Sequence, residues 1–218
     1  MRGKGAVTTI IADGVTMLKG SPGSHVFLVQ ANENILIDTG NRGQFESLWS
    51  ELQSLGAEQV ATILLTHHDV DHIGNARRLQ ERTGAQVWAP REDIPYIVGE
   101  KHRPGIKWIV QSIIRPERPI IDGAYAPEQH FGEIQVIRAP GHTPGHVMFL
   151  YRRVLFSGDL FAIRNGELQL FPRYLTWNQQ EVLTSLALLK ALEFEWLCPA
   201  HGEPLRRNDA VERFVRQH

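Results

Sequence analysis

The densest cluster of residues that could do chemistry lies in residues 64–74, which read LLTHHDVDHIG. Three histidines and two aspartates fall within six positions, directly after an apolar run at 61–65 that predicts a buried strand. Loops that leave the ends of buried strands carry many of the sites of α/β proteins. Imidazole nitrogens and carboxylate oxygens are donors for divalent transition metals. The spacing therefore predicts a metal site, and the alternative interpretation is a solvated, histidine-rich turn.

Three later segments place a histidine or an aspartate at the end of a predicted strand in the same way. They are residues 139–146 (APGHTPGH), 155–159 (LFSGD) and 197–202 (LCPAHG). Each segment alone is weak evidence, because a histidine in a Gly/Pro loop is more often a turn residue than a ligand. Together they predict that several ligands converge at one edge of a sheet.

This order of motifs resembles the metallo-β-lactamase superfamily. The motifs are LIDTG at 36–40, HxDxDH at 67–72, GHTPGH at 141–146, GD at 158–159 and AHG at 200–202. The resemblance covers about residues 7 to 203, which is nearly the whole chain. It implies an α/β fold, a four-layer αβ/βα sandwich of two mixed sheets flanked by helices, with the metal site at one edge of both sheets.

The resemblance also implies a role for each matching position. Three residues would hold a first metal ion: His67, Asp69 and His142. Three others would hold a second ion, with a further aspartate bridging the two ions: Asp71, His72 and His201, bridged by Asp159.

Three nearby residues are expected to stay outside this set of ligands. Asp38 resembles a residue that supports the site without binding metal. His68 is expected to point away from the metals, so that His68→Ala should do little, and His146 is expected to begin a strand.

One position departs from the usual pattern of the family, which is HxHxDH. Asp69 stands where the second histidine is usual, and this adds a negative charge and a harder oxygen donor. Two divalent metal ions are expected, with zinc as the first choice and manganese or iron as alternatives.

The implied activity is that of a metallo-hydrolase. Two metal ions lower the pKa of a bound water, so a metal-activated hydroxide, oriented by Asp71 or Asp159, would attack a carbonyl or phosphoryl centre. The expected substrate is a small-molecule ester, thioester or lactone. Two alternatives remain open: an iron-dependent oxidoreductase (diiron or sulfur dioxygenase-like), and a non-catalytic binding module with a relict metal site.

Composition excludes some classes of function. The chain has 218 residues and a formal net charge of −1, so it offers no overall positive field for nucleic acid. Its single cysteine, Cys198, cannot form a disulfide within the chain, and no signal peptide or membrane span is visible. The expectation is a cytoplasmic protein that acts on a small molecule, without nucleic-acid or membrane partners.

The elements that must position these residues follow from apolar periodicity. Strands are predicted at 8–11, 15–18, 25–30, 34–37, 61–65, 86–88, 133–138, 146–151, 154–157 and 194–198, and helices at 45–55, 75–83, 179–192 and 208–215. One domain spanning 1–218 is expected, and the proline-rich insertion at 91–127 is predicted to be a lid or wall of the site. Four aromatic residues are candidates for an apolar pocket, with ordinary packing as the favoured alternative: Trp108, Phe171, Tyr174 and Trp177.

Overall fold

The computed structural model describes residues 8–103 and 117–218. The described strands are β1 (Thr9–Ala12), β2 (Val15–Leu18), β3 (Val26–Gln30), β4 (Asn34–Ile37), β5 (Val60–Leu64), β6 (Gln86–Ala89), β7 (Gly123–Ala124), β8 (His130–Phe131), β9 (Ile134–Arg138), β10 (Val147–Tyr151), β11 (Val154–Gly158), β12 (Ala162–Arg164), β13 (Glu167–Gln169), β14 (Trp196–Pro199) and β15 (Leu205–Arg206). The helices are α1 (Phe45–Ser54), α2 (Val70–Ile73), α3 (Ala76–Thr83), α4 (Ile94–Ile97), α5 (Gln179–Ala187) and α6 (Asp209–Gln217).

These strands form two large sheets and one small hairpin. The first sheet runs in the order β1 to β7, antiparallel from β1 to β4 and parallel from β4 to β7. The second sheet has the order β15-β14-β11-β10-β9-β8, and only its β11–β14 pair is parallel among the described strands. Both large sheets are therefore mixed, as predicted.

Side-chain alternation explains why the two sheets stack face to face. In β4, Ile35 and Ile37 join the core between the sheets, whereas Leu36 faces the helices of the first half. In β11, Phe156 joins that shared core and Leu155 faces the helices of the second half. Since successive strand residues point to opposite faces, each central strand is buried on both sides.

Helices cover the outer face of each sheet. The cluster under the first sheet includes residues of α1 and α3, among them Leu48, Leu52 and Leu79. The cluster under the second sheet includes residues of α5 and α6, among them Leu186, Val211 and Phe214. The layers are thus helix, sheet, sheet and helix, which confirms the predicted four-layer sandwich.

The ends of the outer helices follow from local chemistry. Asn178 and Asn208 precede α5 and α6, and each side chain accepts hydrogen bonds from two amides of the first turn. Asn208, the first residue of the helix predicted at 208–215, is therefore its N-cap. The predicted helix at 179–192 is too long, because α5 ends at Ala187 and a 3₁₀ turn (Leu188–Lys190) tightens the chain after it.

Part of the predicted insertion at 91–127 belongs to the regular fold. It contains α4 and β7, and β7 pairs in parallel with β6 in the first sheet. The insertion's candidate pocket residue Trp108 lies outside the described residues. In the described part of the chain, no helix is both long and apolar enough to span a bilayer.

Candidate metal centre

The predicted ligands all follow strands at one edge of the two sheets. The HxDxDH loop leaves β5 of the first sheet, while His142, Asp159 and His201 follow β9, β11 and β14 of the second. The carboxyl ends of the parallel pairs β4–β5 and β11–β14 lie at this edge. The site is therefore formed where the two sheets meet.

The structure brings the seven predicted ligands together in two groups. The first group is His67, Asp69, His142 and Asp159, and the second is Asp71, His72 and His201. Within each group, the candidate ligand atoms all lie within 4.8 Å of one another. This division matches the two predicted sets, although metal binding by these residues stays a prediction.

In the first group, one oxygen of Asp69 faces the histidines. Its Oδ2 lies 3.1 Å from Nε2 of His142 and 3.5 Å from Nε2 of His67. In the second group, Oδ2 of Asp71 lies 3.3 Å from Nε2 of His201.

Asp159 lies between the two groups. Its Oδ2 is 3.4 Å from Nε2 of His142 and 3.3 Å from Nε2 of His201, and its Oδ1 is 3.4 Å from Nε2 of His72. The side chain is almost fully buried. This position suits the predicted role of a bridging ligand.

Asp38 supports the second group without belonging to it. Its Oδ2 lies 2.8 Å from Nδ1 of His72 and accepts a hydrogen bond from Thr66 Oγ1 at 2.7 Å. Its Oδ1 accepts from the Thr66 amide at 2.8 Å. Asp38 therefore orients the His72 ring so that Nε2 faces the site, in agreement with the supporting role predicted for it.

His146 has a structural role, because both nitrogens of its ring have partners within the fold. Its Nδ1 lies 3.0 Å from the carbonyl oxygen of Ala139, and its Nε2 accepts a hydrogen bond from the Asp159 amide at 3.0 Å. Burial lowers the pKa of His146 to about 3, so the ring is neutral. Both ring nitrogens are occupied, and His146 instead fixes the backbone of Asp159.

His68 is buried beside the ligand groups. It lies outside both ligand groups, as predicted, but it is fully buried against Tyr96, whose ring centroid is 4.6 Å away. Its Nδ1 lies 2.9 Å from Oδ2 of Asp93, a buried residue that the sequence analysis missed. The expectation that His68→Ala does little stays a prediction for activity, but the variant should lower the stability of the fold because Asp93 would lose a buried partner.

The family model for the metallo-beta-lactamase superfamily matches residues 20–201. The chain belongs to the metallo-beta-lactamase superfamily. Two Bacillus subtilis proteins, the probable metallo-hydrolases YybB and YflN, are 26% and 30% identical to it. These matches cover 86% and 82% of this chain and 84% and 80% of those proteins. Hydroxyacylglutathione hydrolase GloC of Haemophilus influenzae is 30% identical over 57% of this chain and 59% of its own length.

Solved structures of the superfamily show the same fold. A metallo-beta-lactamase from Cronobacter sakazakii superposes with a TM-score of 0.73 at 20% identity, covering 96% of this chain and 92% of its own. TTHA1623, solved in a di-iron-bound form, gives a TM-score of 0.68 at 25% identity, covering 84% of this chain and 89% of its own.

Electrostatics favour cations in this superfamily site. The Asp159 carboxylate raises the pKa of His201 to about 10 against the opposing effect of burial. Burial also opposes the charged form of His72, but Asp159, Asp38 and Asp71 outweigh it and raise the pKa of His72 well above its usual value. The carboxylates therefore create a strongly negative potential, which divalent cations can neutralise.

Buried donor atoms provide a second test of whether metal ions fit. Nε2 of His67 and of His72 make no hydrogen bond within the described ranges, although each is buried and faces the ligand groups. Buried polar atoms normally have partners, so these two nitrogens fit metal ligation better than packing. Nitrogen and carboxylate donors of this kind bind divalent metals.

A pocket of about 330 Å³ opens onto both groups. Asp69, Asp71, His142, Asp159 and His201 line its charged part, and Phe171 and Leu175 form part of an apolar wall. Of the described aromatic candidates, Phe171 lines the pocket although ordinary packing was the favoured interpretation, whereas the exposed Tyr174 and Trp177 are not among the lining residues.

Arg103, from the predicted insertion, also lines the pocket. It is 2% exposed, and its Nε lies 4.0 Å from Oδ1 of Asp69. Burial lowers the pKa of Arg103, and Asp69 is the largest influence opposing that decrease. Arg103 was not predicted from the sequence, because its partner Asp69 is far away in the chain and no motif surrounds it.

Proposed function

We propose that this superfamily member is a hydrolase that holds two divalent metal ions, zinc as the first choice, and cleaves a small-molecule thioester, ester or lactone. The observation that carries the proposal is the arrangement of seven nitrogen and oxygen ligands in two groups with Asp159 between them. Bound divalent ions would supply Lewis acidity and activate water for attack on a carbonyl carbon.

The residues of the chain have distinct tasks in this proposal. Asp71 Oδ2 and Asp159 Oδ2 both lie 3.3 Å from Nε2 of His201, and both residues line the pocket. These carboxylates can orient the attacking water and accept its proton. Phe171 and Leu175 give the pocket an apolar wall, which suits the apolar part of an acyl substrate.

The substrate class is supported by pocket size and by relatives. A volume of about 330 Å³ lies at the small end of ligand pockets, which suits a compact acyl group. Hydroxyacylglutathione hydrolases, which act on thioesters, are among the curated relatives. We therefore place thioesters first, followed by esters and lactones, and expect no nucleic-acid partner.

The proposal is tested with purified protein. We expect about two metal ions per chain by elemental analysis and turnover of at least one compound in a panel of thioesters, esters and lactones. His67→Ala and Asp159→Ala should abolish turnover and reduce bound metal. The matched control is His130→Ala, because His130 is an exposed histidine on β8 of the second sheet. Equal turnover and equal metal content in all three variants would contradict the ligand assignment.

One observation favours a second function, iron-dependent oxidation. Asp69 adds an oxygen donor to the first group, and the related TTHA1623 was solved in a di-iron-bound form. Elemental analysis separates the two functions. Iron as the main metal, with oxygen consumption on a thiol or persulfide substrate and no hydrolysis, would replace the hydrolase proposal.

A further inference from the structure

Asp93 joins the two loops that carry the first ligand group. It follows β6 and is fully buried. Its Oδ2 accepts hydrogen bonds from the His68 amide at 3.0 Å and from Thr143 Oγ1 at 2.7 Å. Its Oδ1 accepts from the Gly145 amide at 2.7 Å. One carboxylate thus ties the loop containing His67 and Asp69 to the loop containing His142.

The loop around His142 is shaped to receive this carboxylate. A Cβ atom at Gly145 would lie 2.8 Å from Oδ1 of Asp93 and 2.8 Å from Cβ of Pro90. Neither distance is sterically acceptable. Glycine at position 145 therefore lets the backbone approach close enough to donate its amide to Asp93.

The His68 ring lies between Asp93 and the candidate ligand Asp69. Its Nδ1 lies 2.9 Å from Oδ2 of Asp93, and its Nε2 lies 3.6 Å from Oδ1 of Asp69. The other oxygen of Asp69, Oδ2, faces His67 and His142. Oδ1 of Asp69 thus faces the supporting residues His68 and Arg103, whereas Oδ2 faces the ligand group.

We infer that Asp93 is the positioning residue of the first metal group, an inference that rests on the proposed two-metal function. It sets the distance between Asp69 and His142 by holding their loops together, and through His68 it keeps Oδ2 of Asp69 turned inward. Asp38 has the corresponding role for the second group, because it holds His72. Each group therefore has its own supporting carboxylate.

This division predicts site-selective effects on metal affinity. In Asp93→Asn, the amide NH₂ must face either the Gly145 amide or the donors now bound to Oδ2, so at least one hydrogen bond is replaced by a clash of donors. Loss of a partner behind metal ligands typically costs about 10- to 100-fold in metal affinity. We expect a loss of that size at the first group and less than about threefold at the second.

The test is a titration of metal-free protein with Zn²⁺ in competition with a chromophoric chelator, which gives two dissociation constants. His142→Ala and His201→Ala assign each constant to its group. Asp93→Asn should then weaken the first constant and Asp38→Asn the second. Glu92→Gln is the matched control, because it removes a neighbouring exposed carboxylate and should change neither constant. Thr143→Val, which removes one donor to Asp93, should weaken the first constant by a smaller factor.

The outcomes separate this inference from the proposed function. Wild-type protein that binds no zinc refutes the proposed function itself. Wild-type protein that binds two ions, with both constants unchanged or equally weakened in Asp93→Asn, refutes only the role of Asp93. Should Asp93→Asn lose its native circular dichroism, Thr143→Val decides, since it keeps the charge and deletes only one hydrogen bond; an unchanged first constant in that variant overturns the inference.

Discussion

Gly158, the last residue of β11, directly precedes Asp159 and helps to position it. It has a backbone conformation that residues with a Cβ atom adopt only at a cost in free energy. Its φ is +49°, in the left-handed region. A Cβ atom there would lie 2.6 Å from Nε2 of His146 and 3.0 Å from Cβ of Thr66. The same Nε2 accepts the hydrogen bond from the Asp159 amide. Gly158→Ala should therefore disturb both the fold and the bridging aspartate.

The size of the effect follows from two contributions. A left-handed backbone costs a residue with a Cβ atom about 1–2 kcal/mol. Extra volume in a packed site adds about 1–3 kcal/mol. We expect the free energy of unfolding to fall by about 2–5 kcal/mol, the sum of these two ranges.

Gly166→Ala isolates the backbone contribution. Gly166 has a φ of +78°, and a Cβ atom there would meet no atom within 4 Å in the described part of the chain. This variant should lose only about 1–2 kcal/mol. Urea unfolding of both variants in excess chelator measures the difference without any contribution from metal binding. An equal loss in the two variants would refute the argument that Gly158 is required for close packing against His146.

Three further predictions concern other parts of the molecule. Cys198 is buried and burial raises the pKa of its thiol, so it should not react with a disulfide reagent in native protein but should react fully in urea, as followed by thiolate release. Glu51 accepts hydrogen bonds from the Lys19 and Gly20 amides at 3.0 and 2.7 Å. Glu51→Gln should therefore lower the free energy of unfolding, measured by urea titration, by about 1.5–3 kcal/mol. The control Glu46→Gln, at an exposed residue, should lower it by less than about 1 kcal/mol. Phe171 packs against His142 with ring centroids 4.9 Å apart and lines the pocket. Phe171→Ala should therefore raise KM more than it lowers kcat, while elemental analysis finds the metal content unchanged. A fall in kcat alone would contradict a role of Phe171 in substrate binding.

Much of the central sandwich could be predicted because local pattern and burial agree there. The apolar run that became β5 is buried on both faces, and the apolar spacing that became α1 gives one helix face in the core. The hairpin of β12 and β13 was missed although Asn165-Gly166 is a turn signal, with φ of +52° and +78°. Its strands are short, which makes alternation hard to recognise.

Those residues of the candidate site that belong to sequence motifs could be predicted. The seven candidate ligands were all found, because they lie in motifs that directly follow strands ending at one edge. Asp93 and Arg103 were not found, since their contacts join positions far apart in the chain and no local spacing marks them. The contact between His68 and Asp93 was not predicted for the same reason, as Asp93 lies on another loop.

The placement of the candidate ligands would make each bound metal ion a cross-link between the two halves of the sandwich. The first group takes His67 and Asp69 from the first sheet and His142 and Asp159 from the second, and the second group pairs Asp71 and His72 with His201. During synthesis, neither group is complete until the second sheet has been made, so bound metal ions would be acquired late. Once bound, they join the halves, and chelation should make unfolding occur at lower urea concentration and less cooperatively.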